Sequence, residues 1–396
     1  MRFGLKLSFL IALIAALAFA GCKNPTSSDP DTTAPAEVSG LTATSPGNGS
    51  VVLNWTDPTD SDFAKAVITY TPGTAPAVEA AKGTQTAAIS GLVNGTAYTF
   101  TVKTVDTTGN TSAGTTATAT PAPTVAEMNA ADFGPGVTPT PLTISSPTDF
   151  SNAKTTIEAT PGNYVLTITG TVDVGSVNIE PAANTVVSLR GGGTLHLSSG
   201  TDGLFKLDGA VGENRKLILR DAVLKGHAGA SRSLVSVVIS SAEFVMYGGT
   251  ITGNTAAAGG GVYVDTGTFT MSGGTISGNT ANHSSEGFGG GVAVMNSGTF
   301  TMSGGTISGN TANIAGGGVV VMPGSTFTKT GGTITGNTGS NPNTATNGFN
   351  GRYGHAVYVF VDGTTGDRYR NTDAGTGVNI SITSDLGTAQ GTAPWL

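Results

Sequence analysis

Over residues 244–359 the apolar and polar positions follow one order, written four times. The copies read FVMYGGTITGNTAAAGGGVYV from Phe244, FTMSGGTISGNTANHSSEGFGGGVAV from Phe269 and FTMSGGTISGNTANIAGGGVVV from Phe300. The fourth opens FTKTGGTITGNTG at Phe327 and resumes as GHAVYV from Gly354. Each copy holds three short runs with apolar residues two apart, an F-T-M run, a T-I-S run and a V-x-V run. Alternation at that length, bounded by Gly, Asn and Ser, predicts short strands. Phe-to-Phe intervals are 25, 31 and 27 residues, and the differences fall almost wholly between GNT and GGG. A unit this short cannot bury its own apolar side and has to stack on copies of itself, one coil per copy. Register then predicts columns: Phe244, Phe269, Phe300 and Phe327; Met246, Met271 and Met302, ended by Lys329; Ile251, Ile276, Ile307 and Ile334; Val264, Val294, Val321 and Val359. It also aligns Asn254, Asn279, Asn310 and Asn337, whose amides can hydrogen-bond from coil to coil and which tolerate the backbone of a sharp corner.

Upstream the pattern is less regular. Runs of three to six residues over 163–239, with Gly, Asn or Asp between them, read as earlier, degenerate coils. Before them, residues 146–159 (SPTDFSNAKTTIEA) suit a helix. Ser146 can cap it, Pro147 fits its first turn, and Phe150, Ala153 and Ile157 fall on one side. Such a helix would cover the open end of the stack, where unpaired edges and bare core invite aggregation.

Residues 37–120 change to longer alternating runs, with Trp55, Tyr70 and Tyr98 among their apolar positions and turn signals such as Pro72-Gly73 and Asn94-Gly95 between them. That spacing predicts a sandwich. The segment resembles the fibronectin type III domain: Trp55 stands at the family's strand-B tryptophan, Tyr70 at its strand-C aromatic, and Leu92 and Tyr98 at its E-to-F marker pair. The resemblance implies a tyrosine corner at Tyr98 and leaves the module's role open, since such domains serve both as spacers and as ligand-binding units; a spacer is expected here. The stacked repeats are similar to the right-handed parallel β-helix of the pectin-lyase-like superfamily, and their GG-T-I and GNTA phrases resemble Gly/Asn-rich repeats of bacterial surface and autotransporter-type passenger proteins.

The fold class expected is therefore all-β: a fibronectin type III β-sandwich, then a parallel β-helix with a capping helix at its N-terminal end. The boundaries expected are a signal peptide over 1–21, a flexible tether over 22–36, the sandwich over 37–120, a linker over 121–145 and the β-helix over 146–396. Composition agrees with many short strands and tight turns, with 60 Gly, 6% aromatics and only 11% charged residues in 396. The net charge of −7 excludes nucleic acid as a natural partner. Arg2 and Lys6 precede an apolar run that is too short to span a membrane and reads as an export signal. It ends at Ala20-Gly21-Cys22, and Cys22, the sole cysteine, stands where the lipobox of bacterial lipoproteins places its lipidated residue. The expected location is the bacterial outer membrane or cell surface, with lipid on Cys22 as the membrane contact.

Chemistry is sparse. Lyases of the resembled superfamily need clustered carboxylates for a metal and a basic proton acceptor, and hydrolases need paired carboxylates. Between Phe244 and Ser340 the only charged residues are Asp265, Glu286 and Lys329, which stacking does not pair. Asn371-Thr372-Asp373 and Gly226-His227-Ala228 echo polygalacturonase tripeptides in reversed order, without the other motifs. The four histidines have no ligand spacing. No catalytic residue, metal site or cofactor is expected. The walls are uniform and the corners vary, so function is expected at 256–259, 282–288, 313–315 and the long loop 339–353. There Asn350, Arg352 and Tyr353, with His355 as an exposed corner residue beside them, are the candidate contacts for a glycan or extracellular protein ligand. The role expected is adhesion or binding. The alternatives are a polysaccharide lyase or hydrolase acting from the early coils, around residues 215–225, and a purely structural surface component.

Overall fold

The computed structural model describes residues 30–360 apart from 48, 74–75, 338–340 and 348–353, together with the strands Arg368–Arg370, Ile380–Thr383 and Thr388–Gln390. The leader, Cys22, the contact candidates Asn350, Arg352 and Tyr353, and the Asn371-Thr372-Asp373 tripeptide lie outside the described residues. The chain forms two compact units, residues 1–128 and 129–396.

The first unit is a two-sheet sandwich. Its strands are β1 (Ser39–Gly47), β2 (Ser50–Thr56), β3 (Phe63–Thr71), β4 (Val78–Ala81), β5 (Thr86–Ile89), β6 (Tyr98–Asp106) and β7 (Thr115–Ala119). They pair in the orders β1-β2-β5 and β4-β3-β6-β7. Alternation drives it: along β2, Val51, Leu53 and Trp55 point inward, and along β6, Tyr98, Phe100 and Val102 do so. The Tyr98 hydroxyl accepts the Val93 N–H at 3.1 Å, which is the tyrosine corner the resemblance implies. The segment expected to be a free tether is docked over its last residues. Asp31 and Ala36 carbonyls accept from Asn110 Nδ2 and the Thr104 hydroxyl, and Pro35 is buried.

The second unit is a parallel β-helix. Its first wall is a sheet of ten strands, of which eight run parallel and the last two antiparallel. The second wall has seven strands and ends at Thr333–Ile334; the third has seven and includes Val235–Val237, Val262–Val264, Val292–Val294, Val319–Val321 and Val357–Val359. A fourth, narrow wall of four two-residue strands, Thr255–Ala256 to Thr344–Ala345, lies just past the Asn corner. The predicted columns hold. Phe244 pairs with Phe269, Phe269 with Phe300 and Phe300 with Phe327. Their rings stack at 4.8, 4.6 and 5.0 Å with interplanar angles of 19° or less. Lys329 succeeds Met302 and is fully buried. Gly290 shows why the third wall opens on glycines: a Cβ there would stand 2.4 Å from the Gly317 carbonyl oxygen of the next coil.

 A Cβ on Gly260 would likewise stand 2.2 Å from the Gly290 carbonyl oxygen, so these glycines lie flat against the backbone of the next coil, where no side chain fits.

Four expectations need correction. The Asn ladder runs Asn254, Asn279, Asn310 and then Asn343, whereas Asn337 is exposed. The fourth copy carries its extra residues before the corner as well as after it, and the N-T-A phrase at 343–345 is the one that pairs with 310–312. His355 is half-buried rather than exposed: its Nδ1 accepts the Ala345 N–H at 3.0 Å, and burial lowers its pKa below the ordinary histidine value. Residues 121–145 are not a bare linker, since they form helix α1 (Val125–Phe133) and the strand Thr140–Ile144, which opens the first wall. Finally, each regular coil has four strands and not three. The capping helix forms as expected: α2 (Pro147–Ala159) is capped by Ser146, whose side chain accepts from Asp149 N, and it buries Phe150, Ala153 and Ile157 in the solenoid core.

Candidate functional site

The strands of the third wall point two valines inward and one residue outward. Register places the outward residues Ser236, Tyr263, Ala293, Val320 and Tyr358 in one column up the outside of the solenoid. An outward column on a solvated wall should be exposed, yet Ala293, Val320 and Tyr358 are fully buried. Their cover comes from the variable corner, where Phe288 bridges to Ala315, and from the residues just past the strands, Met295, Met322 and Phe360. Phe360 packs edge-on to Phe288 at 5.2 Å and tilts over Tyr358 at 4.7 Å. The wall thus has a second apolar cluster on its outer side, separate from the solenoid core.

That cover stops short of the earlier coils. At Ser236 and Tyr263 the outward column is only half-buried. The step leaves a cavity of about 440 Å³ with Ser236 and Tyr263 on its floor and Phe288, Met295 and Met322 on one side. Ser231, Arg232, Ser233, Ala257 and Ala258 bound it on the other side, and Glu286 stands on the rim. Arg232 and Glu286 are exposed, and neither forms an ion pair among the described residues. Burial, with the nearby charges of Asp265 and Glu286, raises the Tyr263 phenol pKa, so at neutral pH it is a hydrogen-bond donor. Two of the corner segments expected to carry function, 256–259 and 282–288, contribute here; Ala315 from 313–315 lies beneath the cover. Tyr263, Met295 and Met322 are absent from the sequence-based candidates. Their signal is apolar side chains at outward or post-strand positions, where the first copy has Asp265.

Several charged groups elsewhere among the described residues are committed to structure. Asp132, near the end of α1, is buried and holds Arg190 at 2.7 Å, Arg220, and the Ser188 hydroxyl at 2.7 Å. Burial opposes its ionisation, but the hydrogen bonds from Arg220, Arg190 and Ser188 outweigh this and hold its pKa below the usual value. Around Arg215, in the early coils where the enzymatic alternative places its site, the groups alternate in sign. Lys206 meets Asp208 at 2.7 Å and Glu180 at 3.4 Å, and Arg215 meets Glu213 at 2.7 Å. The Lys206 hydrogen bond lowers the pKa of Asp208, and that from Arg215 lowers the pKa of Glu213, the opposite of what a general acid requires. His227, from the half-matched tripeptide, ties two corners together by its bonds to the Gly200 carbonyl and the Gly229 N–H.

In the first unit Asp31, Asp62 and Asp106 bring carboxylate oxygens within 4.8 Å of one another, and among the described residues these could hold a cation. Asp106 is already occupied. Its Oδ1 accepts the N–H groups of Thr108, Gly109 and Asn110 at 2.8, 2.6 and 2.8 Å, closing the loop after β6. Burial would raise its pKa, but the bonds from Asn110 and Thr108 prevail and lower it to about 2.

Fold and register define the class: a two-sheet β-sandwich in the first unit and a parallel β-helix in the second. Residues 34–120 match the family model for the fibronectin type III domain, beginning where Pro35 is buried. No curated protein matches the chain. Among solved structures, domains d3–d4 of the rat CD45 extracellular region are 14% identical over 23% of this chain, at a TM-score of 0.21. The match spans 51% of that fragment, about half its length. A family 28 exopolygalacturonase of Yersinia enterocolitica is 12% identical over 73% of this chain and 75% of its own, at a TM-score of 0.24. A pectate lyase of Pectobacterium carotovorum is 11% identical over 74% and 90%, at 0.19.

Proposed function

We propose that this is an exported bacterial surface protein, anchored by lipid on Cys22, whose β-helix holds a glycan or protein ligand in the groove outside its third wall and does not turn it over. The observation that carries the reading is the groove itself. Variable corners build it on a wall whose later outward residues are sealed, and Glu286 is the one carboxylate among its lining residues, where hydrolysis needs a pair across the scissile bond. The fibronectin type III domain acts in this reading as a spacer.

The test uses the purified full-length chain on immobilised glycans and extracellular matrix proteins, alongside a variant with residues 282–286 replaced by Gly and Ser. Retention by at least one surface, lost in the variant, is expected. Release of oligosaccharide from any glycan, with or without calcium, would overturn the non-catalytic reading. For the anchor, Cys22→Ser is expected to move the protein out of the membrane fraction; a protein still sedimenting with membranes would refute it.

A further inference from the structure

We infer that the groove outside the third wall takes a segment of another protein, with an apolar side chain seated against Phe288, Met295 and Met322. The inference rests on the groove being the ligand site, and it goes further by choosing between the ligand classes.

The choice comes from how polarity is distributed. Phe288, Met295 and Met322 come from the later coils and belong to the outer apolar cluster, whereas the hydroxyls of Ser231 and Ser236 and the Arg232 charge come from the earlier coil, with Ala257 and Ala258 between. Ser233 is not available, because its hydroxyl donates to the Ala258 carbonyl at 3.0 Å. A pyranose carries hydroxyls around its whole perimeter. Its C–H faces could stack on a ring, but seated here it would also press perimeter hydroxyls against Phe288, Met295 and Met322, where they find no partner. An extended peptide has the matching asymmetry, with an apolar side chain on one side and main-chain polar groups on the other. Methionines favour this ligand further, since an unbranched thioether adapts to side chains of different shape. At about 440 Å³ the cavity is in the size range of built binding sites. The unpaired Arg232 and Glu286 complement an acidic and a basic residue flanking the anchor, and opposite charges on a rim fix direction and register.

The experiment selects a displayed library of random 12-residue peptides on the immobilised full-length chain, with an oligosaccharide array probed in parallel. Enriched peptides are expected to share a Leu, Ile, Met, Phe or Trp anchor with an acidic residue on one side. Binding of a synthesised representative should weaken at least tenfold in Met295→Gln/Met322→Gln, whose half-exposed side chains can change without unfolding the wall; circular dichroism checks that. Selection on Arg232→Glu should replace the acidic flank by a basic one. Oligosaccharide binding lost in the same Met variant would overturn the inference while leaving the groove as the ligand site. Peptides that enrich but ignore both variants, or no binder of either class, would overturn the inference and the groove reading together.

Discussion

Replacing Asn310 by Ala tests the ladder at its centre. Asn310 is fully buried. Its amide donates to the Ile276 carbonyl at 2.9 Å, the Ser308 carbonyl at 3.1 Å and Asn343 Oδ1 at 3.0 Å, and its Oδ1 accepts the Asn279 main-chain N–H at 3.0 Å. Truncation strands the fully buried Asn279 N–H, at about 1–3 kcal/mol. Asn343 Oδ1 still accepts the Asn310 main-chain N–H at 2.9 Å, so the remaining losses are partial. The expected destabilisation is about 2–4 kcal/mol, or a fall of roughly 4–8 °C in midpoint for a unit of this size. Asn337→Ala, at the exposed position of the repeated GNT phrase, should stay within about 0.5 kcal/mol. The double variant Asn279→Ala/Asn310→Ala should cost less than the sum of the singles, because the two side chains share bonds. Thermal and urea unfolding followed by circular dichroism measure all four proteins. A silent Asn310→Ala, or an Asn337→Ala as damaging as Asn310→Ala, would refute the assignment of rungs.

Phe300→Ala removes the middle ring of the stack and should cost about 3–5 kcal/mol by the same unfolding assay. Asp132→Ala leaves Arg190 and Arg220 without their shared partner and should cost about 3–5 kcal/mol, whereas Lys65→Ala, which breaks an exposed pair with Glu79, should cost less than about 1 kcal/mol. The folded pKa of Asp106 is lowered, so its contribution is present above the unfolded carboxylate value of about 3.9 and is lost as pH falls toward about 2. The near-UV signal of the first unit should therefore lose its acid-sensitive transition in Asp106→Asn, and an unchanged pH midpoint would count against the clamp.

The solenoid is legible because like residues recur at equal offsets and the inside of a coil tolerates little else. The Phe, Met and Ile columns need only that rule. The Asn ladder needs one fact more, where the extra residues of the last copy enter. Asn337 keeps the motif, but Asn343 keeps the distance to its neighbours in the wall. The helix α1 escapes notice because its anchors are polar, Asn129 and the buried Asp132, whose partners lie 56 to 88 positions onward. The groove is half-legible. Variable corners mark its neighbourhood, but its depth comes from Ala293 and Val320 being covered, which depends on where Phe288 and Met322 fold across the wall.

The stretches at 269–282 and 300–313 are identical, residue for residue. Because the inward columns of these coils pair like with like, a crossover between them would delete residues 269–299 and still bring Phe244 against Phe300, Ile251 against Ile307 and Asn254 against Asn310. The shortened protein would keep a closed interior and a continuous ladder. It would lose Phe288 and Met295, bringing Tyr263 directly beside Val320. One unequal exchange would remove a side of the groove in a single event, so this architecture lets a lineage change what it binds without first risking its ability to fold.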